Sequence, residues 1–421
     1  MLTSNSSSYS NSNGNCSSAS SSSNSSFSSS CVQVSRDVQQ QLVLLRLLPD
    51  SPGLQFPEIW LRDNCQCSTC YMQQTRSRLP QGWNYLDPSV RLQQLSWCAE
   101  RQSLQISWSD GHKSSFPLSW LKERDFSPAS RARYLRDCYR PEQRLWSGTE
   151  FQRIQREFLY DELLHNDEAL LQWLHQLAVY GLALVKQAPL DSNVLRNLCN
   201  RVGFMRSTTY GDEWSVKAQP GASNYAYLAA PLPLHTDMPY FEYKPSITLL
   251  HTLQQSDSPG GWNLLSDAFH VADLLRQRYP GAFKVLSETP VDWADIGSEK
   301  NLRFHNIWRA PVINLDANGR YVRINLSIPQ RDSHFSVPAE QVRPWYEAMA
   351  LFMRLANEQA CTFKTTPGDV LTFDNVRMVH GRTGYDDTEQ NIRHIVGAFL
   401  DWDIAYSRWR VLKNDLGHYN K

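Results

Sequence analysis

Short apolar runs, some alternating with polar residues and some at helical spacing, divide the chain beyond residue 31 into strands and helices. Strands are predicted where β-branched and aromatic residues lie between turn residues. The predicted strands are 41–45, 104–108, 181–186, 245–252, 320–326, 369–374 and 393–400. The predicted helices are 127–140, 166–179, 193–202, 271–279 and 339–359.

This order of elements predicts an α+β fold or a barrel surrounded by helices, and it argues against a doubly wound parallel sheet. A chain of 421 residues is long enough for one large or two unequal domains. We expect a Ser/Asn-rich tail over 1–31, a small β-rich domain over 32–125, a connection over 126–160 and the main domain over 161–421.

Composition narrows the class of protein further. The first 30 residues contain 17 Ser and 5 Asn, which predicts a disordered tail. That tail has neither a secretory nor an Arg-rich transit pattern, so we expect a cytoplasmic location, with the mitochondrion as the alternative. The 42 basic and 42 acidic residues balance, and no apolar run has membrane-spanning length. We therefore expect neither nucleic acid nor membrane as a partner.

Three separated residues have the side chains of a ferrous site. His235 and Asp237 are two apart, so on an extended segment both project from the same face. With His380 they would give two imidazoles and one carboxylate, which is typical of non-haem Fe(II) oxygenases. Arg393, 13 residues beyond His380, could bind a dicarboxylate co-substrate through its guanidinium fork.

The pattern His-x-Asp alone is weak, because it occurs twice in this sequence. His165-Asn166-Asp167 also fits it, but an apolar helical pattern follows directly. Asn166 or Asp167 is therefore interpreted as a helix N-cap and not as part of a metal site.

A cysteine cluster in the small N-terminal domain has the spacing of a zinc site. Cys65, Cys67 and Cys70 place three thiols within six residues, and a tetrahedral structural site needs a fourth ligand. The candidates are Cys98 and His112. We favour His112, because it follows the Asp110-Gly111 turn signal and can project there without disturbing a sheet.

The order of five separate motifs resembles the γ-butyrobetaine dioxygenase family. These motifs are Trp60–Cys65, Asp110–His112, His235–Asp237, Val379–Arg382, and Arg393-His394 leading to Asp401–Asp403 and Ser407-Arg408. The resemblance extends from about residue 35 to the C-terminus. The sister trimethyllysine dioxygenases share the iron motifs, whereas Arg331–Ser333 and the segment after Arg393 look closer to the butyrobetaine branch.

The resemblance implies a double-stranded β-helix (jelly-roll) catalytic domain with flanking helices, a small zinc-binding N-terminal domain and a homodimer. It also implies Fe(II), 2-oxoglutarate and O₂ as cofactor and co-substrates, with ascorbate maintaining the iron, and a quaternary ammonium acid as the small-molecule substrate. Matched to the family, His235, Asp237 and His380 are iron ligands, and Arg393 binds the distal carboxylate of 2-oxoglutarate. The matching zinc ligands are Cys65, Cys67, Cys70 and His112.

The predicted substrate pocket rests on aromatic residues, because a trimethylammonium group has charge but no N–H donor. Tyr210 and Trp214 are four apart and would share one face of a helix if that stretch is helical. The residues that match the family's pocket are Tyr210, Trp214 and Tyr227 in the cage, Asn224 and Asn325 as polar groups, and Phe399. Two positions depart from the family: Phe399 stands where Tyr is typical, and Glu213 where Asp is usual.

The leading hypothesis is hydroxylation of γ-butyrobetaine to L-carnitine, with decarboxylation of 2-oxoglutarate to succinate and CO₂. One alternative is the same chemistry on N6-trimethyllysine or another quaternary ammonium acid. Two alternatives come from other classes of protein: a catalytically silent protein that binds 2-oxoglutarate or a methylammonium ligand, and an interaction protein in which the zinc unit is the active part.

Overall fold

The computed structural model describes residues 32–47, 53–79, 87–217, 225–299, 302–386, 388 and 391–418. The expected tail lies outside these residues. The chain separates into two compact units, one up to Ala132 and the other from Arg133 onward. This boundary falls within the connection expected over 126–160. We describe each unit by itself.

The first unit consists of three small antiparallel sheets and short helices. Its sheets have the strand orders β1-β2-β3, β4-β5 and β6-β7-β8. The strands are β1 (Val32–Asp37), β2 (Leu42–Leu47), β3 (Leu54–Pro57), β4 (Tyr71–Met72), β5 (Ser77–Arg78), β6 (Leu92–Cys98), β7 (Ser103–Trp108) and β8 (Lys113–Pro117). The helices are α1 (Glu58–Asp63), α2 (Leu118–Glu123) and α3 (Pro128–Tyr134), which crosses the boundary. Apolar side chains of β2, β3, β7 and β8 form one buried core.

The second unit contains fourteen strands among the described residues. They are β9 (Glu157–Leu159), β10 (Leu182–Lys186), β11 (Glu213–Lys217), β12 (Leu232–His235), β13 (Ile247–Gln254), β14 (Asn263–Asp267), β15 (Val291–Glu299), β16 (Leu302–Ala310), β17 (Ile313–Leu315), β18 (Tyr321–Ile324), β19 (Cys361–Phe363), β20 (Val370–Asp374), β21 (Met378–Arg382) and β22 (His394–Leu400).

Helices of three kinds accompany these strands. The α-helices are α4 (Phe151–Ile154), α5 (Tyr160–His165), α6 (Asp167–Tyr180), α7 (Val194–Val202), α8 (Ala268–Arg278), α9 (Pro280–Glu288), α10 (Ala339–Glu358) and α11 (Trp402–Asp415). Leu135–Tyr139 is a π-helix, and Gly148–Glu150 and Tyr225–Tyr227 are 3₁₀ turns. No helix in the described part of the chain is long and apolar enough to cross a membrane.

Two sheets with alternating strands form the jelly-roll of the second unit. One has the order β11-β22-β13-β20-β10-β9 and the other β12-β21-β14-β19. From β12 to β14, and again from β19 to β22, each successive strand joins the opposite sheet. This alternation is the pattern of a double-stranded β-helix, so the prediction of a jelly-roll catalytic domain is confirmed. The long insertion between β14 and β19 carries α8–α10 and the β15–β16 hairpin.

The outer face of the six-stranded sheet is covered by α6, α7 and α11. Apolar residues of all three helices share one buried core with strands β10, β13, β20 and β22. Helix α6 begins where the sequence predicts, because the Asn166 side chain accepts hydrogen bonds from the backbone of Glu168 and Ala169. It ends at Gly181, whose φ of 78° is the left-handed conformation of a helix C-cap. The second His-x-Asp pattern is therefore a helix start.

Most predicted elements occur within a few residues of their expected bounds, with two informative differences. Helix α8 begins at Ala268 and not at Val271, because Asp267 caps it by accepting from the backbone of Phe269 and His270. The helical spacing considered for Tyr210 and Trp214 is wrong, since Trp214 lies in strand β11 and Thr208–Gly211 forms a turn.

A fully buried ion pair joins helix α8 to the turn between β20 and β21. Arg377 and Asp267 are both solvent-inaccessible, and Nη2 of Arg377 lies 2.7 Å from Oδ2 of Asp267. Arg377 also donates to the carbonyls of Val179 and Arg144. The guanidinium thus holds together three segments that are far apart in sequence.

We predict that Arg377→Met lowers the free energy of unfolding by about 3–5 kcal/mol, because it leaves the buried Asp267 carboxylate without its counter-charge. Urea denaturation measures this difference. Arg343→Met is the matched control, since the Arg343–Glu347 pair on α10 is exposed and its loss should not change stability measurably. Equal stability of Arg377→Met and the wild type would contradict the assigned role.

Candidate functional site

Strand pairing brings the three predicted iron ligands together. His235 ends β12 and lies directly opposite His380 of β21 in the antiparallel register. Asp237 follows two residues later, and its Oδ1 lies 3.5 Å from Nε2 of His235 and 3.6 Å from Nε2 of His380. Thr236 points the other way and hydrogen bonds to Leu326. The ligand atoms of the three residues all lie within 4.8 Å of one another.

Neighbouring groups fix the orientation of this triad. Nδ1 of His235 lies 2.9 Å from the carbonyl of Pro233, so that Nε2 faces the other two ligands. Thr248 donates its hydroxyl to Oδ2 of Asp237 at 3.1 Å, and the backbone N–H of Asp237 donates to Asn375 at 2.7 Å. Such contacts hold a first-row metal ligand in the geometry it needs before the metal arrives.

The protonation states of Asp237 and His380 suit a divalent cation. Burial would by itself raise the pKa of Asp237, but the facing imidazoles of His380 and His235 hold it at about 2. Burial lowers the pKa of His380 to about 3. An ionised carboxylate therefore faces a neutral imidazole, and these are the forms in which both groups bind metal. Two imidazoles and one carboxylate fit Fe(II) with coordination positions left for other ligands.

An aromatic pocket shares its wall with His235 and Asp237. The aromatic residues that line it are Tyr210, Trp214, Tyr225, Tyr227, Tyr240 and Phe399. The rings of Trp214 and Phe399 stack with their centroids 4.1 Å apart, because β11 and β22 are neighbouring strands. The predicted cage residues Tyr210, Trp214 and Tyr227 thus come together with Phe399 without a helix.

Of the two predicted polar residues, Asn224 and Asn325, the structure describes only Asn325. Asn325 is fully buried, and neither its amide nitrogen nor its amide oxygen has a hydrogen-bond partner among the described residues. It precedes Ser327, which lines the pocket, by two positions on an extended segment. An unsatisfied buried amide is suited to a polar ligand. Asn224 lies outside the described residues.

Arg393 is a buried cation without a carboxylate partner among the described residues. Its side chain is 5% exposed, its Nε has no hydrogen-bond partner in that part of the chain, and burial lowers its pKa to about 10. The guanidinium groups of Arg393 and Arg382 both contact the Tyr385 ring, and Arg382 belongs to the strand that carries His380. This environment fits a carboxylate ligand near the metal triad.

Several pocket residues were missed by the sequence reasoning. They are Tyr225, Leu232, Met238, Tyr240, Ser327, Pro329 and Gln330. The aromatic run after Asp237 was a signal for Tyr240, whereas Ser327–Gln330 reach the pocket only through the fold. Glu213, where the family usually has Asp, precedes Trp214 on β11, so its side chain projects from the opposite face of the strand. Burial raises the pKa of Cys199, and the negative charge of Glu213 also raises it.

The first unit brings the predicted zinc ligands together. Nε2 of His112 lies 3.2 Å from Sγ of Cys65, 3.6 Å from Sγ of Cys67 and 3.5 Å from Sγ of Cys70. Three sulfurs around one ring nitrogen fit a tetrahedral zinc site. Cys98 does not belong to this cluster.

Turns and a charge pair shape the cysteine cluster. Gly111, at φ 78°, allows the tight turn that aims His112, and Asp110 accepts from the His112 backbone. Arg62 pairs with Asp110 at 2.8 Å and contacts Sγ of Cys70 at 3.9 Å. Burial raises the pKa of the Cys65 thiol to about 11, so a bound cation is what would favour its thiolate.

Comparison with known proteins agrees with this geometry. Residues 144–399 match the family described as "Taurine catabolism dioxygenase TauD, TfdA family", and residues 39–122 match "Gamma-butyrobetaine hydroxylase-like, N-terminal". Gamma-butyrobetaine dioxygenase of Homo sapiens is 37% identical over 369 residues, covering 87% of this chain and 93% of that protein. The protein of that name from Pseudomonas sp. strain AK-1 is 31% identical over 85% of this chain and 90% of its own length.

Mitochondrial trimethyllysine dioxygenase of Homo sapiens is 27% identical over 85% of this chain and 83% of its own length. The jelly-roll and the facial triad define a non-haem iron oxygenase. The chain belongs to the gamma-butyrobetaine dioxygenase group of the TauD, TfdA family. It is a dioxygenase that uses Fe(II) and 2-oxoglutarate.

We predict about one equivalent of zinc per chain, as four ligands converge on one point. Cys70→Ser should lose zinc, measured by elemental analysis of the purified protein, and should lower the unfolding temperature. Cys98→Ser is the control and should keep full zinc content. Zinc retention by Cys70→Ser, or zinc loss from Cys98→Ser, would show that the site is assigned wrongly.

We predict that Asp237→Ala abolishes Fe(II) binding without unfolding the chain, because the carboxylate lies between the two imidazoles. The visible absorption band formed by anaerobic Fe(II) and 2-oxoglutarate should disappear, while thermal unfolding stays close to that of the wild type. Asp167→Ala removes the acid of the other His-x-Asp pattern and should retain the band. A band of wild-type strength in Asp237→Ala would rule out this metal site.

Proposed function

We propose that this protein hydroxylates γ-butyrobetaine to L-carnitine, while 2-oxoglutarate is decarboxylated to succinate and CO₂. The observation that carries the proposal is the shared wall of the aromatic pocket and the metal triad, through His235 and Asp237. A trimethylammonium group bound to the aromatic faces would place the rest of a short ligand beside the metal.

In this proposal His235, Asp237 and His380 hold Fe(II), and Arg393 binds the distal carboxylate of 2-oxoglutarate. The bound iron and 2-oxoglutarate supply the activation of O₂ that inserts oxygen into a C–H bond. The protein's own residues bind and orient. Burial of Arg393 strengthens its attraction for a carboxylate, because little water screens the pair.

The pocket suits both ends of a betaine. Tyr210, Trp214, Tyr227 and Phe399 present ring faces, which attract a cation that has no hydrogen-bond donor. Ser327 and Gln330 supply polar groups in the lining, and the unsatisfied amide of Asn325 lies two residues before Ser327, outside the lining itself. Phe399 keeps the π face at its position but offers no hydroxyl, so this protein relies on packing there.

Hydroxylation of N6-trimethyllysine is the second candidate. That substrate carries an α-ammonium group, which needs an acceptor of its own. Asp237 is the one acidic side chain among the described residues that line the pocket, and the triad already uses it. The higher identity to gamma-butyrobetaine dioxygenase, 37% against 27%, also favours the first candidate.

A silent binding protein or a zinc-based interaction protein would not require an intact triad. All three ligand atoms converge here, and the surrounding hydrogen bonds orient them. The convergence of two imidazoles and one carboxylate is what supports an enzyme.

The decisive experiment measures both substrates with one preparation of the full chain, supplied with Fe(II), 2-oxoglutarate and ascorbate. We expect substrate-dependent succinate release and a mass gain of one oxygen atom with γ-butyrobetaine, and much less of both with N6-trimethyllysine. The reverse preference would favour the second candidate. No turnover of either, together with a normal absorption band for the bound iron, would favour the silent binder.

We predict that Trp214→Ala weakens the apparent affinity for γ-butyrobetaine by about 1–2 kcal/mol, the size of a desolvated cation–π contact. The KM should rise more than kcat falls. Trp262→Ala is the control, because Trp262 is 42% exposed and does not line this pocket. An unchanged KM in Trp214→Ala would remove Trp214 from the cage.

The zinc-binding role of the first unit, the homodimer and the cytoplasmic location, with the mitochondrion as the alternative, belong to the same proposal. The cluster of three thiols and one imidazole supports the zinc site, and the resemblance to the family supports the homodimer. Light scattering coupled to size-exclusion chromatography tests the dimer, and fractionation of cells that express the full chain tests the location.

A further inference from the structure

A carboxylate stands directly behind the aromatic wall of the pocket. The hydroxyl of Tyr210 donates to Oδ2 of Asp295 at 2.8 Å. The hydroxyl of Tyr240 lies close enough to the carboxylate of Asp295 to lower the pKa of that acid. Both tyrosines line the pocket, whereas Asp295 does not. The acid therefore lies outside the pocket lining and contacts it through the hydroxyl of Tyr210.

The alternation of strand β15 places this acid. Ile296 is 68% exposed on one face of the strand, while Asp295, Gly297 and Glu299 occupy the other, less exposed face. Burial, with smaller contributions from the charges of Glu299 and Asp295, raises the pKa of Tyr227 to about 12. The aromatic wall thus lies in the negative field of one strand.

Asp295 has no basic partner in the described part of the chain. No Lys, Arg or His side chain there forms an ion pair with it, although its carboxylate is half-buried. Burial raises the pKa of Asp295, and the two phenol donors oppose that shift because they stabilise the ionised form. A cation bound in the pocket would be the nearest counter-charge.

We propose that Asp295 is the positioning residue that makes this pocket selective for a cationic head group over an uncharged group of the same shape. The inference rests on the proposed function. Accepting from the phenol holds the ring of Tyr210 in place and increases the electron density of its face, which strengthens the cation–π contact. The carboxylate also adds direct attraction through a medium of low polarity.

The test compares a cation with its carbon isostere, because a purely structural role would affect both equally. The full chain with Fe(II) and 2-oxoglutarate is titrated without oxygen, by calorimetry, with γ-butyrobetaine and with 5,5-dimethylhexanoate. In Asp295→Asn we expect about tenfold weaker binding of the cation and nearly unchanged binding of the isostere. Steady-state kinetics should show a higher KM with little change in kcat.

A second pair of ligands tests the role of Asp295 even if γ-butyrobetaine is not the substrate. Choline and 3,3-dimethylbutanol differ in the same way, so the loss of cation selectivity in Asp295→Asn should appear with them even if γ-butyrobetaine is not turned over. Asp273→Asn is the matched control, because Asp273 accepts from the Tyr321 hydroxyl and does not line this pocket. It should leave both affinities unchanged.

Tyr210→Phe tests the same contact with less risk to folding, since it removes the donor and keeps both the ring and the charge of Asp295. We expect a smaller loss of cation selectivity than in Asp295→Asn. Equal weakening of cation and isostere in Asp295→Asn would reduce Asp295 to a structural role. Unchanged cation affinity in both variants would overturn the proposal.

Discussion

The antiparallel pairing of β12 with β21 is the constraint on which the active site depends. The register places His235 opposite His380, and strand alternation then projects Asp237 to the same side. A shift of one residue would turn both ligands of the first strand away from the second. The hydrogen bonds of Thr248 and Asn375 to Asp237, and the packing of the jelly-roll around them, serve to hold this register.

The site offers each charged ligand a group of opposite charge. Arg393, a guanidinium with no carboxylate partner among the described residues, lies near the strand that carries His380, where an anionic co-substrate would bind. Asp295 accepts from the hydroxyl of Tyr210, whose ring lines the pocket where a cationic head group would bind. Burial makes both charges effective, because water screens them little.

Different interactions stabilise the two units. The second has large apolar cores and a buried ion pair, Arg377 with Asp267, which joins distant segments. The first unit has one small core among its described residues. Convergence of three thiols on His112 supplies a site for a metal crosslink.

The sequence by itself determined the donor types, their order and most of the local elements. His235 and Asp237 could be paired from strand alternation, and Asn166 could be recognised as a helix cap, because both follow from short-range geometry. The choice of His112 over Cys98 was favoured by a turn signal, and the structure groups His112 with the three thiols. The condition of a helix through Tyr210 and Trp214 is not met, since Trp214 pairs with β22 as part of strand β11. Only the tertiary structure decided that Trp214 stacks on Phe399, that Ser327–Gln330 reach the pocket and that Asp295 lies behind it. These contacts join residues tens of positions apart, and periodicity within a short window carries no information about such pairs.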